Sequence, residues 1–165
     1  MRKRKAEQLA ELLPSLMTAR TFTEDDVVKR KADGDSLIDW NSLHPELNPS
    51  LACKASLPEK RAARKRTQIA ELLSWATELL PQGGTAVDFC AGSGHVGLVL
   101  AAIRPDAVVH IVEKKSQHCM LAQERADKAL LKNVIVSCCQ LSDFTAPFDV
   151  GMVCSRTTNQ SNECS

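Results

Sequence analysis

The 165-residue sequence lacks several features that would place a protein in a familiar class at once. It has no apolar run of about 18 residues, so no transmembrane helix is predicted, and no signal-peptide hydrophobic segment. Its seven cysteines include no Cys-x-x-Cys pair, which argues against a zinc site or a disulfide framework. We therefore expect no bound metal and reduced thiols packed as small apolar side chains. The expected location is the cytoplasm, with the nucleus as the alternative.

The overall composition and charge are ordinary for a globular protein. Apolar residues make up 44% of the chain and charged residues 25%, which is enough to bury a core. The net charge of +1 says nothing about partners, but the positive charge is concentrated in the N-terminal half. The length fits one domain with an appendage.

Sequence patterns divide the chain into three parts. Residues 1–55 are predicted to be an extension of helices and loops, because a helical apolar pattern is interrupted by Pro14 and gives way to polar residues. His44, beside Pro45, is interpreted as a turn residue. Residues 56–154 alternate helix and strand patterns and are predicted to fold as a domain. Strands are predicted at residues 86–89, 108–113, 134–138 and 148–154, and a helix at 116–131 with Cys119, Ala122, Ala126 and Leu130 on its apolar face. Residues 155–165 are polar and are predicted to be a disordered tail.

The most informative stretch, residues 85–97, reads TAVDFCAGSGHVG. It predicts an apolar strand containing Asp88, then a glycine-rich loop, then an apolar helix. Gly92 and Gly94 lack a Cβ atom, so backbone N–H groups of this loop can approach a bound molecule closely. A glycine turn that binds no ligand is the alternative.

The glycine spacing alone leaves the kind of ligand open. Gly92-x-Gly94-x-x-Gly97 also fits the dinucleotide-binding fingerprint, but there the glycines follow the strand directly. Here Asp88 lies inside the strand end, ahead of the loop. An acid followed by a loop of small residues resembles the first motif of class I S-adenosylmethionine-dependent methyltransferases, although Cys90 stands where that motif usually has glycine.

A second acid follows at a useful distance along the chain. Residues 108–112 are β-branched apart from His110 and predict a buried strand, which Glu113 closes. A carboxylate at the end of this strand can accept hydrogen bonds from both hydroxyls of a ribose. We prefer that role to the alternative of an ordinary exposed glutamate.

A strongly basic segment precedes the glycine stretch. Ser56-x-x-Glu59 has the form of a capping box, and an apolar stripe from Ile69 to Leu80 predicts a long helix. The start of this helix carries five cations, which are Lys60, Arg61, Arg64, Lys65 and Arg66. They predict either a solvated helix face or a surface that binds RNA phosphates, although no aromatic residues are interleaved to stack on bases.

Several motifs occur together in a fixed order. The segments LHPELNPS, PEKRAARKRTQI, VDFCAGSGHVGLVLA and SDFTAPFDVG lie between residues 43 and 153. In this combination the chain resembles the methyltransferase-like region of the glutathione S-transferase C-terminal domain-containing proteins and their relatives, over about two thirds of its length. The resemblance implies an α/β, Rossmann-like class I methyltransferase fold with a parallel sheet, and S-adenosylmethionine as the cofactor.

The resemblance also assigns roles to individual residues. Asp88, Cys90 and the backbone of residues 91–94 would hold the methionine end of the cofactor, Glu113 the ribose, and Gln140 and Leu141 the adenine. The full set is Asp88, Cys90, Ala91, Gly92, Ser93, Gly94, Glu113, Gln140 and Leu141. Many relatives have aspartate at the position of Gln140, whose uncharged carbonyl is the weaker acceptor.

The resemblance ends after the fourth predicted strand. Relatives continue there with further helices and three strands, whereas this chain continues with SRTTNQSNECS, which has no apolar period. We expect the first half of the fold only, about four strands, in a truncated splice or frame variant, with a helical N-terminal segment in front. Residues that contact the methyl acceptor come mostly from the later half in this fold class, so no catalytic residue is nominated.

The leading hypothesis is a methyltransferase-like protein that binds S-adenosylmethionine, with unknown substrate and weak or no activity. The alternative from another class is a noncatalytic interaction or RNA-associating fragment that uses the basic helix. A dinucleotide-dependent oxidoreductase comes third, disfavoured by the position of Asp88.

Overall fold

The computed structural model of the protein describes residues 37–153. Within them, four strands form one parallel sheet in the order β3-β2-β1-β4. The strands are β1 (Thr85–Phe89), β2 (Val108–Glu113), β3 (Val134–Cys138) and β4 (Val150–Val153), and the helices are α1 (Glu59–Leu79), α2 (His95–Ile103) and α3 (Ser116–Lys128). Short 3-10 helices cover Pro45–Leu47 and Leu141–Asp143. The predicted N-terminal helices and polar tail lie outside the described residues.

The sheet confirms the predicted parallel, Rossmann-like arrangement. Each of the first two strands is followed by a helix that returns the chain to the amino end of the next strand, as parallel neighbours require. The register places Asp88 beside Ile111 and Phe89 beside Val112. The carboxyl ends of β1 and β2 therefore lie side by side, which brings the glycine loop next to Glu113.

The two faces of the sheet are covered differently. Ala86, Val109 and Ile111 point toward the three helices and form the main core with side chains such as Leu73 and Leu98. On the other face, the smaller cluster of Val87, Phe89 and Val112 packs against Cys139, Leu141, Phe144 and Phe148. The ring of Phe89 makes edge contacts with Phe144 at 5.7 Å and Phe148 at 5.5 Å between centroids. Chain between β3 and β4 thus covers this second face.

The segment before α1 packs onto the domain. Ile38 and Leu47 are buried in the main core, and His44 caps the first 3-10 helix by accepting a hydrogen bond at Nδ1 from the Glu46 N–H at 3.3 Å. The interpretation of His44 as a turn residue agrees with this geometry. The division of the chain after residue 55 stays a prediction, and within the described residues both sides of it share one core.

Three local predictions were wrong. Pro58, not Ser56, is the N-cap residue of α1, and no side chain caps it; Glu59 pairs with Arg66 instead. Helix α3 ends at Lys128, because the chain turns into the left-handed region at Leu130, which is exposed and not on the apolar face. Strand β4 begins at Val150, two residues later than the pattern predicted. No helix among residues 37–153 is long and apolar enough to cross a membrane.

Candidate functional site

Asp88 lies near the end of β1 and is 1% exposed. Its Oδ2 accepts a hydrogen bond from the Gly97 N–H at 2.9 Å, which joins the strand to the first turn of α2. Its Oδ1 is buried and has no hydrogen-bond partner among the described residues. Burial raises the pKa of the Asp88 carboxyl to about 7, against the opposing influence of the Gly97 N–H and of Lys65. One carboxylate oxygen therefore keeps its full capacity to accept.

Glu113 closes β2 and reaches back to the glycine loop. Its Oε2 accepts from the Gly92 N–H at 2.9 Å and its Oε1 from the Lys115 N–H at 3.0 Å. Burial alone would raise the pKa of Glu113, but the N–H groups of Lys115 and Gly92, together with His118 and the Lys114 N–H, outweigh burial and lower that pKa. A carboxylate offers about four lone-pair sites, so these two bonds leave acceptor capacity. The structure thus brings the two predicted acids to opposite sides of one loop.

The loop between them is held in an unusual backbone conformation. Cys90, Gly92 and Gly94 all have positive φ angles, of 55°, 59° and 75°. This region suits glycine and strains other L residues, so Cys90 carries a strain that the usual glycine of the motif would avoid. A Cβ atom at Gly92 would meet nothing within 4 Å, whereas one at Gly94 would lie 3.1 Å from Ile111. The backbone at Gly92 therefore faces open space, and Gly94 packs against the sheet.

Gly97, the third glycine of the spacing, has a packing role. A Cβ atom there would lie 3.0 Å from Ile111 and 3.2 Å from the Asp88 side chain. Its absence lets α2 approach the sheet closely enough for the Gly97 N–H to reach Asp88. The Gly-x-Gly-x-x-Gly spacing is explained here by a tight loop and close helix packing, which more than one ligand class requires.

The remaining predicted site residues lie around this loop. Ala91 and Ser93 are half-buried within it, and the Ala91 N–H donates to the carbonyl of Val112 at 3.2 Å. Gln140 is exposed at the end of β3, just before the 3-10 helix that begins at Leu141. Leu141 packs against the smaller apolar cluster. All of these residues follow carboxyl ends of strands.

The basic residues at the start of α1 separate into two groups. Lys60, Arg61 and Arg64 are exposed. Arg66 instead pairs with Glu59 and donates to Ser50 Oγ at 2.9 Å, so it ties the helix to the preceding turn. Lys65 donates to Gln68 at 3.2 Å, and its charge acts on Asp88.

Sequence patterns missed Arg125 on α3. It is 1% exposed, and its guanidinium donates to backbone carbonyls of Glu46 and Ser93. The sequence did contain a signal of burial for Arg125. This residue lies three positions after Ala122 and directly before Ala126, on the helix face predicted to be apolar. A cation at such a position needs partners inside the protein.

The cysteines behave less uniformly than predicted. Cys119 is buried, and its S–H donates to the carbonyl of Glu113 at 3.1 Å, while burial raises its pKa to about 12. Cys53, Cys90 and Cys138 are exposed, which corrects the expectation that they pack as apolar side chains. Among the described residues, no disulfide forms and no cluster of side chains could hold a metal ion.

Comparison with known proteins identifies relatives for most of the chain, although no protein-family model matches it. Glutathione S-transferase C-terminal domain-containing protein of Xenopus laevis is 37% identical over 115 residues, covering 70% of this chain and 18% of that protein. Its Drosophila melanogaster homolog is 32% identical over 118 residues, covering 72% and 20%. The chain thus spans about a fifth of the length of these curated relatives. Ribosomal RNA small subunit methyltransferase G of Beutenbergia cavernae is 34% identical over 77 residues, covering 47% and 36%.

Solved structures share the arrangement of helices and strands. A protein-L-isoaspartate O-methyltransferase superposes with a TM-score of 0.54 at 17% identity, covering 77% of this chain and 47% of that chain. Coclaurine N-methyltransferase, solved with N-methylheliamine and SAH, gives 0.51 at 16% identity, covering 81% and 43%. At these identities the likeness shows the fold alone. The predicted resemblance is confirmed: the chain is homologous to a segment of the glutathione S-transferase C-terminal domain-containing proteins and has the Rossmann-like fold of class I S-adenosylmethionine-dependent methyltransferases.

Proposed function

We propose that the chain binds S-adenosylmethionine at the carboxyl edge of its sheet, as the cofactor-binding part of a methyltransferase-like domain. The observation that carries the proposal is the buried Oδ1 of Asp88, which has no partner among the described residues and lies beside a strained glycine loop. An unpaired buried carboxylate is costly. A ligand with a cationic or hydrogen-bond-donating group would remove that cost.

The chemistry of the site fits this cofactor. Asp88 offers an acceptor to a positively charged amino acid end, and Glu113 keeps acceptor capacity for the hydroxyls of a ribose. The open space at Gly92 lets a ligand lie against the loop backbone. Gln140 and Leu141 follow β3, where the amide and an apolar side chain suit the adenine. S-adenosylmethionine, when bound, supplies an activated methyl group; these residues would bind and orient it.

We infer weak or no transfer activity for the chain by itself. The roles proposed for the described residues at the carboxyl edge are to bind and orient the cofactor, and none of these residues is assigned to the methyl acceptor. The proposal is therefore limited to cofactor binding.

Titration calorimetry and thermal shift on the full chain test the proposal, with S-adenosylmethionine, S-adenosylhomocysteine and NAD⁺ as separate ligands. We expect both adenosyl ligands to bind and to raise the melting temperature, and NAD⁺ to do neither. Stabilisation by NAD⁺ alone would favour the dinucleotide alternative. No response to any of the three at millimolar concentration would reject cofactor binding.

We propose RNA association by the start of α1 as a second candidate function. Three cations are exposed there, which are Lys60, Arg61 and Arg64, and Lys65 is near enough for its charge to act on Asp88. This basic surface would place phosphates close to the proposed methyl donor. The similarity to a ribosomal RNA methyltransferase over 77 residues supports the same choice.

Charge reversal separates this candidate from simple solvation of the helix. The single variant Arg64→Glu, which changes the net charge by the same amount as the control below, should weaken binding of a single-stranded RNA several-fold and flatten its salt dependence. Lys132→Glu, which changes an exposed cation next to β3, is the matched control and should have a smaller effect. Equal effects of the two variants would indicate that only net charge matters.

A further inference from the structure

Arg125 connects two loops that are distant in sequence. Its Nε and Nη2 donate to the carbonyl of Glu46 at 2.9 and 2.6 Å, and its Nη1 donates to the carbonyl of Ser93 in the glycine loop. Its Nη2 also lies 3.2 Å from Nδ1 of His95, the first residue of α2. Since a guanidinium has only donors, this contact requires His95 to accept at Nδ1. One side chain thus holds the turn before α1, the loop and the helix that follows it.

The burial of this cation is expensive and calls for a function. A guanidinium removed from water loses several kcal/mol of solvation unless its donors are satisfied. Here backbone carbonyls and one imidazole accept four hydrogen bonds from the guanidinium, and Glu46 is the nearby acid. The Glu46 side chain itself pairs with Lys128 at 3.1 Å. An apolar side chain could fill the same volume without losing solvation, but it could not donate these hydrogen bonds. The hydrogen bonds are therefore the distinctive contribution of Arg125.

The bond to Ser93 acts at the point where the loop conformation is decided. The Ser93 carbonyl and the Gly94 N–H belong to one peptide group, and that N–H donates to the Ala91 carbonyl at 3.0 Å. Arg125 therefore fixes the other end of a peptide that already closes the turn. Gly94 has a φ of 75° and its carbonyl accepts the first hydrogen bond of α2. Rotation of this peptide would move both the loop and the helix start.

We propose that Arg125 is a positioning residue that holds the Ser93–Gly94 peptide in the ligand-binding conformation and couples it to the turn at residues 44–48. This inference rests on the proposed binding of S-adenosylmethionine at the loop. It also gives a role to the LHPELNPS segment, whose Glu46 carbonyl is the second anchor of the guanidinium. Arg125 is not expected to contact the ligand itself.

A matched tie at the opposite end of the sheet supplies the control. Asn133 Nδ2 donates to the carbonyls of Ala101, Arg104 and Ala107 at 2.9 to 3.1 Å. Like Arg125, Asn133 joins separate elements through backbone carbonyls. It precedes the amino end of β3, whereas the glycine loop follows the carboxyl end of β1, so the two lie at opposite ends of the parallel strands. Removing either side chain removes tertiary hydrogen bonds, but of these two side chains only Arg125 bonds to the glycine loop.

The test compares Arg125→Met, Arg125→Lys and Asn133→Ala in the full chain, by melting temperature and by calorimetric affinity for S-adenosylmethionine. We expect Arg125→Met and Asn133→Ala both to lower the melting temperature. Only Arg125→Met should weaken binding, by about 10-fold, the factor equivalent to one hydrogen bond from a charged group. Arg125→Lys should recover part of that loss. Equal affinity losses in Arg125→Met and Asn133→Ala, or none in Arg125→Met, would overturn the proposal.

A second measurement keeps the inference independent of ligand binding and of a variant that fails to fold. Hydrogen exchange of the Gly92 and Gly94 amides in the ligand-free protein should be faster in Arg125→Lys than in Asn133→Ala. The same exchange in both variants would refute a positioning role even if the wild-type chain binds the cofactor. If the wild-type chain binds no cofactor but the loop amides still exchange faster in Arg125→Lys than in Asn133→Ala, the proposed function is rejected. The role of Arg125 in the loop is then retained.

Discussion

The two edges of the parallel sheet use similar polar side chains in different ways. At the amino edge, Asp149 accepts from the Thr85 N–H at 2.7 Å. Asp106 accepts from the Gly83 N–H at 3.0 Å and pairs with Arg104, which together hold the pKa of its carboxyl well below the ordinary value. Asn133 bonds to three carbonyls. These groups are engaged in joining one element to the next.

At the carboxyl edge, acidic side chains keep oxygen atoms that can still accept hydrogen bonds. Asp88 uses one oxygen for a backbone N–H and leaves the other buried without a partner among the described residues. Cys90, Gly92 and Gly94 hold the adjoining chain at positive φ. Ligands of open parallel sheets bind outside the carboxyl ends of the strands. This difference supports the proposal that the carboxyl edge binds a ligand, whereas the polar side chains of the amino edge join neighbouring elements.

Replacing one aspartate at each edge should give the largest difference in ligand affinity between the two edges. Asp88→Asn keeps an acceptor for the Gly97 N–H but removes the charge, so affinity for S-adenosylmethionine should fall by roughly 10- to 100-fold, the value of a charge-assisted hydrogen bond. Asp106→Asn should lower stability without changing affinity. Calorimetry on both variants measures this. An equal loss in both would mean that the carboxyl edge has no special role.

The second-largest expected effect is a difference in the pH dependence of stability between the wild-type chain and Asp88→Asn. Because the pKa of Asp88 is raised to about 7 in the folded chain, the folded state holds a proton that the unfolded state releases from about pH 4 upward. Asp88 therefore contributes less stability as pH rises from about 5 to 7, by about 1 kcal/mol per pH unit, and the loss levels off above that. Burial lowers the pKa of His110, which acts in the opposite direction.

The difference between the two proteins isolates Asp88 from His110. Urea unfolding from pH 5 to 8 should show the wild-type chain losing stability relative to Asp88→Asn up to about pH 7. Glu113 should not change the slope in this pH window. Because its pKa is lowered in the folded chain, its stabilising contribution is complete above its ordinary pKa and is lost only in more acidic solution. Parallel curves for wild type and Asp88→Asn would show that Asp88 does not titrate there.

A smaller effect is expected for the second acid. Glu113→Gln and Asp149→Asn each remove charge from a side chain that accepts backbone N–H bonds, at the carboxyl and amino edges respectively. Both should lose about 1 kcal/mol of stability. Only Glu113→Gln should also weaken cofactor binding, about 5-fold. Unfolding and calorimetry on the pair check the result, and unchanged affinity in Glu113→Gln would remove its ribose role.

The smallest effect concerns backbone strain. Cys90 and Leu130 are exposed non-glycine residues with φ of 55° and 56°. Cys90→Gly and Leu130→Gly should each stabilise the chain by about 0.5 to 1 kcal/mol, since glycine adopts this conformation without a Cβ clash. Only Cys90→Gly should alter cofactor affinity, because Leu130 follows α3. Destabilisation by Cys90→Gly in urea unfolding would show that the thiol contributes more than the strain removes.

Much of the carboxyl edge was predictable from sequence because local rules determine it. The span of β3 was predicted to the residue, and that of β1 to within one residue, since each apolar run begins directly after polar or turn-forming residues, Lys132-Asn133 before β3 and Gly83-Gly84 before β1. Parallel pairing then places Asp88 and Glu113 at one edge. The N-cap of α1 was mispredicted, because Glu59 found a better partner in Arg66 than in the helix start.

The partners of Arg125 were not predictable from local patterns, although its position on the apolar face of α3 signals a buried cation. Its partners are 79 and 32 residues away in sequence, so only the folded arrangement reveals them. The cytoplasmic location and the three-part division of the chain stay predictions.

A backbone amide NMR titration of the full chain with S-adenosylmethionine tests ligand binding at the carboxyl edge most directly. Ligand binding at the carboxyl edge should shift the Gly92 and Gly94 amides and the amides after Glu113. The Gly83, Gly84 and Thr85 amides at the amino edge should stay in place. Shifts confined to the amino edge, or no shifts at millimolar ligand, would contradict cofactor binding at the carboxyl edge.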